Sequence, residues 1–159
     1  MRKPELAKLK LSNPLHLLAL GFGSGLSPIM PGTMGTLAAI PLYLLIQGVA
    51  APWYIAILVV GFMAGIWFCN AATEAIGQPD HGAIVWDEVI GFGITMFMAP
   101  AGWAWILVGF LLFRFFDILK PWPIRWFDRR IHGGVGIMLD DVIAGLFALG
   151  CLQLLAKYW

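Results

Sequence analysis

Long apolar segments, separated by short polar or glycine- and proline-rich breaks, make up most of the chain. Residues 11–73 contain no Asp, Glu, Lys or Arg. Because one spanning helix needs about 20 residues, a run of this length holds more than one membrane element. Apolar helices are predicted over about 36–49, 53–72, 84–99, 103–119 and 137–156. The pattern predicts an all-α, polytopic integral membrane bundle of about four to five membrane helices, forming a single domain over residues 1–159.

Two irregular segments are predicted before the first of these helices. Residues 14–27 are apolar but short and glycine-rich, which favours an interfacial or re-entrant segment over a full span. Residues 28–36, PIMPGTMGT, hold two prolines, two glycines and two threonines. Since proline and glycine disfavour a regular helix, we expect a rigid loop that opens into a helix at about 33–35. Residues 120–136 are predicted to form a polar loop near the other end of the chain.

Composition supports the membrane assignment and removes one class of partner. Hydrophobic residues make up 60% of the chain and charged residues 12%, whereas about a quarter of the residues in a soluble domain are charged. The net charge of +1 provides no basic excess to neutralise phosphates, so nucleic acid is excluded as a partner. Cys69 and Cys151 each lie in an apolar run, without the spacing of a disulfide framework or a metal site.

The distribution of cations predicts the orientation of the chain in a membrane. The N-terminal segment carries Arg2, Lys3, Lys8 and Lys10, and the 120–136 loop carries Lys120, Arg125, Arg129 and Arg130. Cations are enriched in cytoplasmic loops, so both segments are expected at the cytoplasmic face. With five membrane elements alternating, residues 74–88 face the same side. Every acid then lies at or near one membrane face.

Two pairs of adjacent acids are the first candidates for chemistry. Asp87 and Glu88, like Asp140 and Asp141, lie at a predicted cytoplasmic helix start. Two such starts brought together would offer up to four carboxylates, a donor set that suits Mg²⁺ with a substrate phosphate. Alternatively, one member of each pair is only an N-terminal helix acid, which the helix dipole favours.

A cationic stripe is the second candidate. Arg114, Asp117 and Lys120 repeat at i, i+3 and i+6, which places them along one side of a helix that ends at Pro121. Such a stripe could hold a phosphate and orient a metal ligand. The alternative is an ion pair between Arg114 and Asp117, with Lys120 extending to the lipid headgroups. The nearby Arg125, Asp128, Arg129 and Arg130 are interpreted as a headgroup-facing surface.

Glycine-rich stretches before two helices are the third candidate. Their backbone N–H groups, around 32–35 and 134–136, can bind anions. The phosphate-binding candidates from these stretches are Thr33, Gly35, Thr36, Gly134 and Gly136. Glycines also serve tight turns and close helix packing, and each stretch alone is a weak signal.

Together these motifs resemble the phosphatidylglycerophosphatase A family of integral membrane, Mg²⁺-dependent phosphatases. The resemblance covers 12–36, 80–92, 113–141 and the AG at 144–145, which is most of the polar sequence in the family's order. It implies hydrolysis of the terminal phosphate monoester of phosphatidylglycerophosphate to phosphatidylglycerol. It also implies a multi-pass protein of the bacterial inner membrane, with the phospholipid and membrane lipids as partners.

The resemblance and the clustered charges lead to one hypothesis for the site. Mg²⁺ is expected on Asp87, Glu88, Asp140 and Asp141, and the phosphate on Arg114 and Lys120. Asp117 is a further metal ligand or the base that activates water, so the catalytic candidates are Asp117, Asp87 and Asp141. An aspartyl-phosphate intermediate is the mechanistic alternative. A small ion- or proton-coupled transporter is the alternative function, because carboxylates in spanning helices also form ion relays.

Overall fold

A computed structural model of the protein describes residues 4–159, in which seven α-helices and two 3-10 turns are present and no strand occurs. The predicted cations Arg2 and Lys3 lie outside the described residues. The helices are α1 (Pro14–Ala19), α2 (Pro31–Ile46), α3 (Ala51–Ile76), α4 (Trp86–Thr95), α5 (Trp103–Leu119), α6 (Ile124–Arg130) and α7 (Gly133–Tyr158). The 3-10 turns are Pro4–Lys8 and Ser24–Leu26. The all-α prediction is confirmed for the described chain.

Helix α4 is the buried centre of the bundle. Eight of its ten residues are buried, and α2, α3, α5 and α7 all contact it. At 1.5 Å per residue it is about 15 Å long, half of what a hydrocarbon core requires. It therefore does not cross a membrane by itself, and its first turn presents Asp87 and Glu88 to one end of the bundle.

Two helices, α3 and α7, are long and apolar enough to cross a membrane by length and composition. Only 22% of the apolar window of α3 is buried inside the protein, so most of this surface needs an apolar solvent. The helices α2 and α5 have 16 and 17 residues, below the usual span length. Of the four to five predicted spans, the structure therefore supports two, α3 and α7. These two helices indicate that the protein associates with a membrane.

The helix boundaries correct the sequence interpretation in two places. Helix α2 begins at Pro31, not at about 33–35, because proline at the first helical position loses only an N–H that has no helical partner. Residues 120–136 are not one loop, since they contain α6 and the first turn of α7. Helix α5 has the predicted bounds. Residues 14–27 form the short α1 and the Ser24–Leu26 turn.

The charged residues gather at one end of the bundle, which we call the polar end. The Glu5 carboxylate lies 3.7 Å from His81 Nε2, and the Val85 N–H donates to the Ala19 carbonyl. The N-terminal segment and the 77–85 loop therefore cover the same end. At the opposite end the Trp105 ring packs against Trp159. Of the charged residues in 4–159, only Lys157 belongs to that opposite end.

Candidate active site

Three buried carboxylates form a cluster where α4 meets α7. Asp87, Glu88 and Asp141 each offer an oxygen, and these atoms lie within 4.8 Å of one another. Asp87 and Glu88 come from the first turn of α4, while Asp141 lies about two turns into α7. Of the four predicted metal ligands, the structure brings these three together and places Asp140 elsewhere.

Glycine contacts bring the two helices close enough for this cluster. A Cβ on Gly145 would lie 2.6 Å from the Gly91 carbonyl oxygen, which shows that α4 and α7 touch through their backbones. Phe113 of α5 packs on Gly91 of α4, because a Cβ on Gly91 would lie 2.5 Å from the Phe113 ring. Larger residues at these positions would move the acids apart.

The cluster lacks the hydrogen bonds that buried carboxylates normally need. Among the described residues, the buried oxygens Asp87 Oδ1, Glu88 Oε2 and Asp141 Oδ2 have no partner. Burial, and then the Asp141 carboxylate, raise the pKa of Glu88 to about 8. Burial and the neighbouring Glu88 also raise the pKa of Asp87 well above its ordinary value. Unpaired buried charge costs several kcal/mol, and a hard divalent cation such as Mg²⁺ fits these oxygens.

Arg114 lies beside the cluster and connects it to α2. Its Nη1 is paired with Asp117 and lies 3.9 Å from Glu88 Oε1, and its Nε is buried without a partner. A Cβ on Gly32 would lie 2.5 Å from Glu88 Oε1 and 3.2 Å from both terminal nitrogens of Arg114. The first turn of α2 therefore faces the guanidinium. Asp117 also lies near Asp141.

Lys120 does not lie on the predicted stripe with Arg114 and Asp117. Helix α5 ends at Leu119, and Lys120 takes a left-handed conformation with φ 44° that turns it out of the helix. Its Nζ lies 2.7 Å from Asp140 Oδ2 and 3.0 Å from Asp128 Oδ1. Partial burial opposes the charge, but these two carboxylates raise the pKa of Lys120 above its ordinary value.

Most of the glycines and threonines that were predicted to bind phosphate contact other protein groups and do not face the acid cluster. The buried Thr36 hydroxyl donates to the Gly32 carbonyl at 2.9 Å, and Gly35 packs against Val85. The Gly134 N–H donates to Asn70 Oδ1 at 2.7 Å. Gly136 lies against the Ile131 carbonyl, where a side chain would clash. Thr33 remains in the first turn of α2 and is partly exposed.

Two contacts were not predicted from the sequence. Asn70 Oδ1 accepts a hydrogen bond from the Gly134 N–H and so caps the first turn of α7. Asp128, assigned to a headgroup-facing surface, shares Lys120 with Asp140. The turn through Pro121 and Pro123 brings Lys120 and Asp128 together, and no helical or strand period predicts that spacing.

Comparisons with known proteins agree on one family. The sequence model of phosphatidylglycerophosphatase A matches residues 17–156. Phosphatidylglycerophosphatase A of Escherichia coli K12 is 50% identical over 154 residues, which cover 96% of this chain and 90% of that protein. The Haemophilus influenzae protein of the same name is 45% identical over 156 residues, covering 97% and 95%.

A third relative has a different name. A Bacteroides thetaiotaomicron protein, provisionally named a phosphatidylinositol-3-phosphatase, is 43% identical over 140 residues, covering 83% of this chain and 87% of its own length. No solved structure matches the chain.

Proposed function

This chain belongs to the phosphatidylglycerophosphatase A family, and we propose that it hydrolyses the terminal phosphate monoester of phosphatidylglycerophosphate. The products are phosphatidylglycerol and phosphate, and the reaction requires Mg²⁺ at the cytoplasmic face of the bacterial inner membrane. The observation that carries the proposal is the buried cluster of Asp87, Glu88 and Asp141 beside Arg114. Oxygen ligands next to a guanidinium suit a phosphate that carries a metal.

In this proposal Asp87, Glu88 and Asp141 hold the Mg²⁺. When bound, the ion neutralises charge that develops on the transferring phosphoryl group. Asp140 has a different role, because its carboxylate is paired with Lys120. That pair fixes Lys120 at the polar end, and Asp128 fixes it from the other side.

Arg114 and the first turn of α2 are the proposed phosphate-binding groups. The Nη1 atom of Arg114 is occupied by acids, while its buried Nε is free to donate. The backbone N–H groups of Gly32 and Thr33 begin α2 and have no acceptor one turn earlier in the helix. Together they would hold a phosphate oxygen against the guanidinium, where helix N-termini favour anions.

Asp117 is the proposed base. Arg114 keeps its carboxylate in place, and it lies beside Asp141. A water oxygen adds to phosphorus while Asp117 takes the water proton. The bond between phosphorus and the glycerol oxygen breaks, and that oxygen takes up the proton that Asp117 accepted from the water. In the alternative mechanism, an Asp carboxylate attacks phosphorus and displaces the glycerol oxygen. Water then hydrolyses the aspartyl-phosphate and releases the phosphate.

The proposed membrane arrangement uses four helices. The helices α2 and α7 run from the polar end to the opposite end, and α3 and α5 run back toward the polar end, with the short α4 enclosed among them. The described cations other than Lys157 belong to the polar end, which supports a cytoplasmic location for it. The substrate would then meet the site from the cytoplasmic leaflet.

The test is phosphate release by the purified protein in detergent, with Mg²⁺ and with excess chelator. Phosphatidylinositol 3-phosphate is the competing substrate, because one relative's name points to it. We expect metal-dependent turnover of phosphatidylglycerophosphate that exceeds turnover of the inositol lipid. Absence of turnover in a folded sample with Mg²⁺ would overturn the proposal and favour transport.

A further inference from the structure

A basic cavity of about 460 Å³ lies at the polar end, next to the acid cluster but separate from it. It is lined by Lys120, Trp122, Arg125, Trp126, Arg129 and Arg130, together with Pro121. Within residues 4–159, no carboxylate lies within salt-bridge distance of the three arginines. Guanidinium groups that have no carboxylate partner and surround one concave space favour a phosphate or carboxylate ligand.

We propose that this cavity binds the phosphodiester group of the phospholipid substrate while Arg114 and the first turn of α2, beside the acid cluster, hold its terminal phosphate. The inference rests on the proposed function and deepens it. Phosphatidylglycerophosphate carries two phosphates, one on each side of its glycerol headgroup. The first turn of α2 with Arg114 is one proposed anion-binding region and the cavity is a second. Lys120 connects the two, because it lines the cavity while its Nζ contacts Asp140, the neighbour of Asp141 in α7.

The surroundings of the cavity fit a lipid. The Trp122 side chain is 80% exposed and Trp126 is 44% exposed, and tryptophan at the edge of a site marks the membrane interface. Arg130 stacks on the Trp126 ring, with its Cζ 4.8 Å from the centroid, which holds the aromatic wall in place.

An apolar surface leads from the cavity along α5. Leu111, Phe115 and Ile118 are each more than half exposed and follow one another at helical spacing toward Lys120. Acyl chains attached to a phosphodiester in the cavity can lie along this stripe. A soluble phosphate ester has no apolar part to place on this stripe, so the geometry fits a lipid substrate.

The experiment compares two lipids that differ in the diester. Phosphatidylglycerophosphate has a monoester and a diester, whereas phosphatidic acid has the monoester alone. In the Arg125→Gln/Arg129→Gln double variant, we expect kcat/KM for phosphatidylglycerophosphate to fall by about thirtyfold, since each charged hydrogen bond contributes strongly. Turnover of phosphatidic acid should change less than twofold. The Arg125→Lys/Arg129→Lys variant should recover part of the loss.

A matched control separates a local site from general surface charge. The Lys8→Gln/Lys10→Gln variant removes the same charge from exposed positions at the polar end, away from the cavity. It should leave both substrates unaffected. An equal fall in this variant would overturn the proposal in favour of bulk attraction to the micelle. An equal fall for both lipids in the arginine variant would overturn it in favour of a role at the terminal phosphate.

Product inhibition gives a second measurement that does not depend on phosphatidic acid being hydrolysed. Phosphatidylglycerol keeps the diester and lacks the monoester. We expect its inhibition constant to rise about tenfold in the Arg125→Gln/Arg129→Gln variant. The constant should stay unchanged in the Lys8→Gln/Lys10→Gln control. An unchanged constant in both would overturn the inference. If the unmodified protein hydrolyses no phosphatidylglycerophosphate, the proposed function itself fails, which is a different result.

Discussion

Lys120 Nζ lies 2.7 Å from Asp140 Oδ2, while the next carboxylate along α7, Asp141, lies in the cluster with Asp87 and Glu88. Neighbouring residues on a helix point about 100° apart, so adjacent acids can face different partners. The pair that looks equivalent in the sequence is therefore divided. Asp140 anchors the Lys120 cation, and Asp141 contributes an oxygen to the cluster of three carboxylates.

We expect the two aspartates of α7 to respond differently to the same substitution. Asp141→Asn removes a proposed metal ligand and should lower turnover by about 10³-fold or more, the loss of several kcal/mol of charge stabilisation. Asp140→Asn weakens the hold on Lys120 and should cost about tenfold. Phosphate release with saturating Mg²⁺ measures both, with thermal unfolding in detergent as the check on folding. Full turnover by a folded Asp141→Asn variant would remove this residue from the site.

Gly32 should tolerate no side chain. A Cβ there would lie 2.5 Å from Glu88 Oε1 and 3.2 Å from the Arg114 nitrogens. Displacement of the catalytic groups by about 1 Å can cost about 10²-fold, so Gly32→Ala should lower kcat by that order. The matched control is Gly48→Ala, since a Cβ at Gly48 meets nothing within 4 Å. Equal activity of the two variants would show that the first turn of α2 does not position the site.

Mg²⁺ should stabilise the protein more at high pH than at low pH. Burial raises the pKa of Glu88 from an ordinary 4.5 to about 8, so the metal-free fold is favoured when this group is protonated. That stability is present below about pH 4.5 and is lost as pH rises through about 8. A bound cation removes the penalty by replacing the proton.

Melting temperatures with Mg²⁺ and with chelator, at pH 6 and pH 8.5, measure this linkage. The difference between the two samples should grow with pH and should shrink in Glu88→Gln. Glu74→Gln, which changes an exposed acid on α3, should behave like the unmodified protein. A metal effect that is the same at both pH values would argue against a cation on Glu88.

Local sequence was enough to predict some elements and not others. Helix α5 is predicted at its observed bounds, because a mostly apolar run begins after Gly102 and ends just before Pro121. The start of α7 is predicted at Ile137 and lies at Gly133, since the glycines of residues 133–136 favour a turn over a helix. Gly134 is helical because its N–H meets Asn70 and its missing side chain leaves room for the Ile66 carbonyl. Both partners lie on α3, so the reason is a tertiary contact that local propensity does not contain.

The same limit applies to the site. The types of residue were visible in the sequence, because acids and arginines are rare in so apolar a chain. The division of four acids into a cluster of three and a separate Lys120 pair was not visible. It depends on how α4 and α7 are rotated against each other, which their glycine contacts determine. The hydrophobic repeat of one helix shows which of its faces is apolar. It does not show how that helix is rotated against its neighbour.

The contact between α4 and α7 should control both stability and activity. A Cβ on Gly145 would lie 2.6 Å from the Gly91 carbonyl and 3.2 Å from Ile94 Cβ, so Gly145→Ala should cost about 1–3 kcal/mol through overpacking. Gly150 on the same helix has nothing within 4 Å of an added Cβ, and alanine is the better helix former. Gly150→Ala should therefore leave the melting temperature unchanged or slightly higher. Because the backbone contact at Gly145 sets the distance between Asp141 and the acids of α4, the Gly145 variant should also lose Mg²⁺-dependent stabilisation. A lower melting temperature with the full Mg²⁺ effect retained would separate the packing of these helices from the assembly of the metal site.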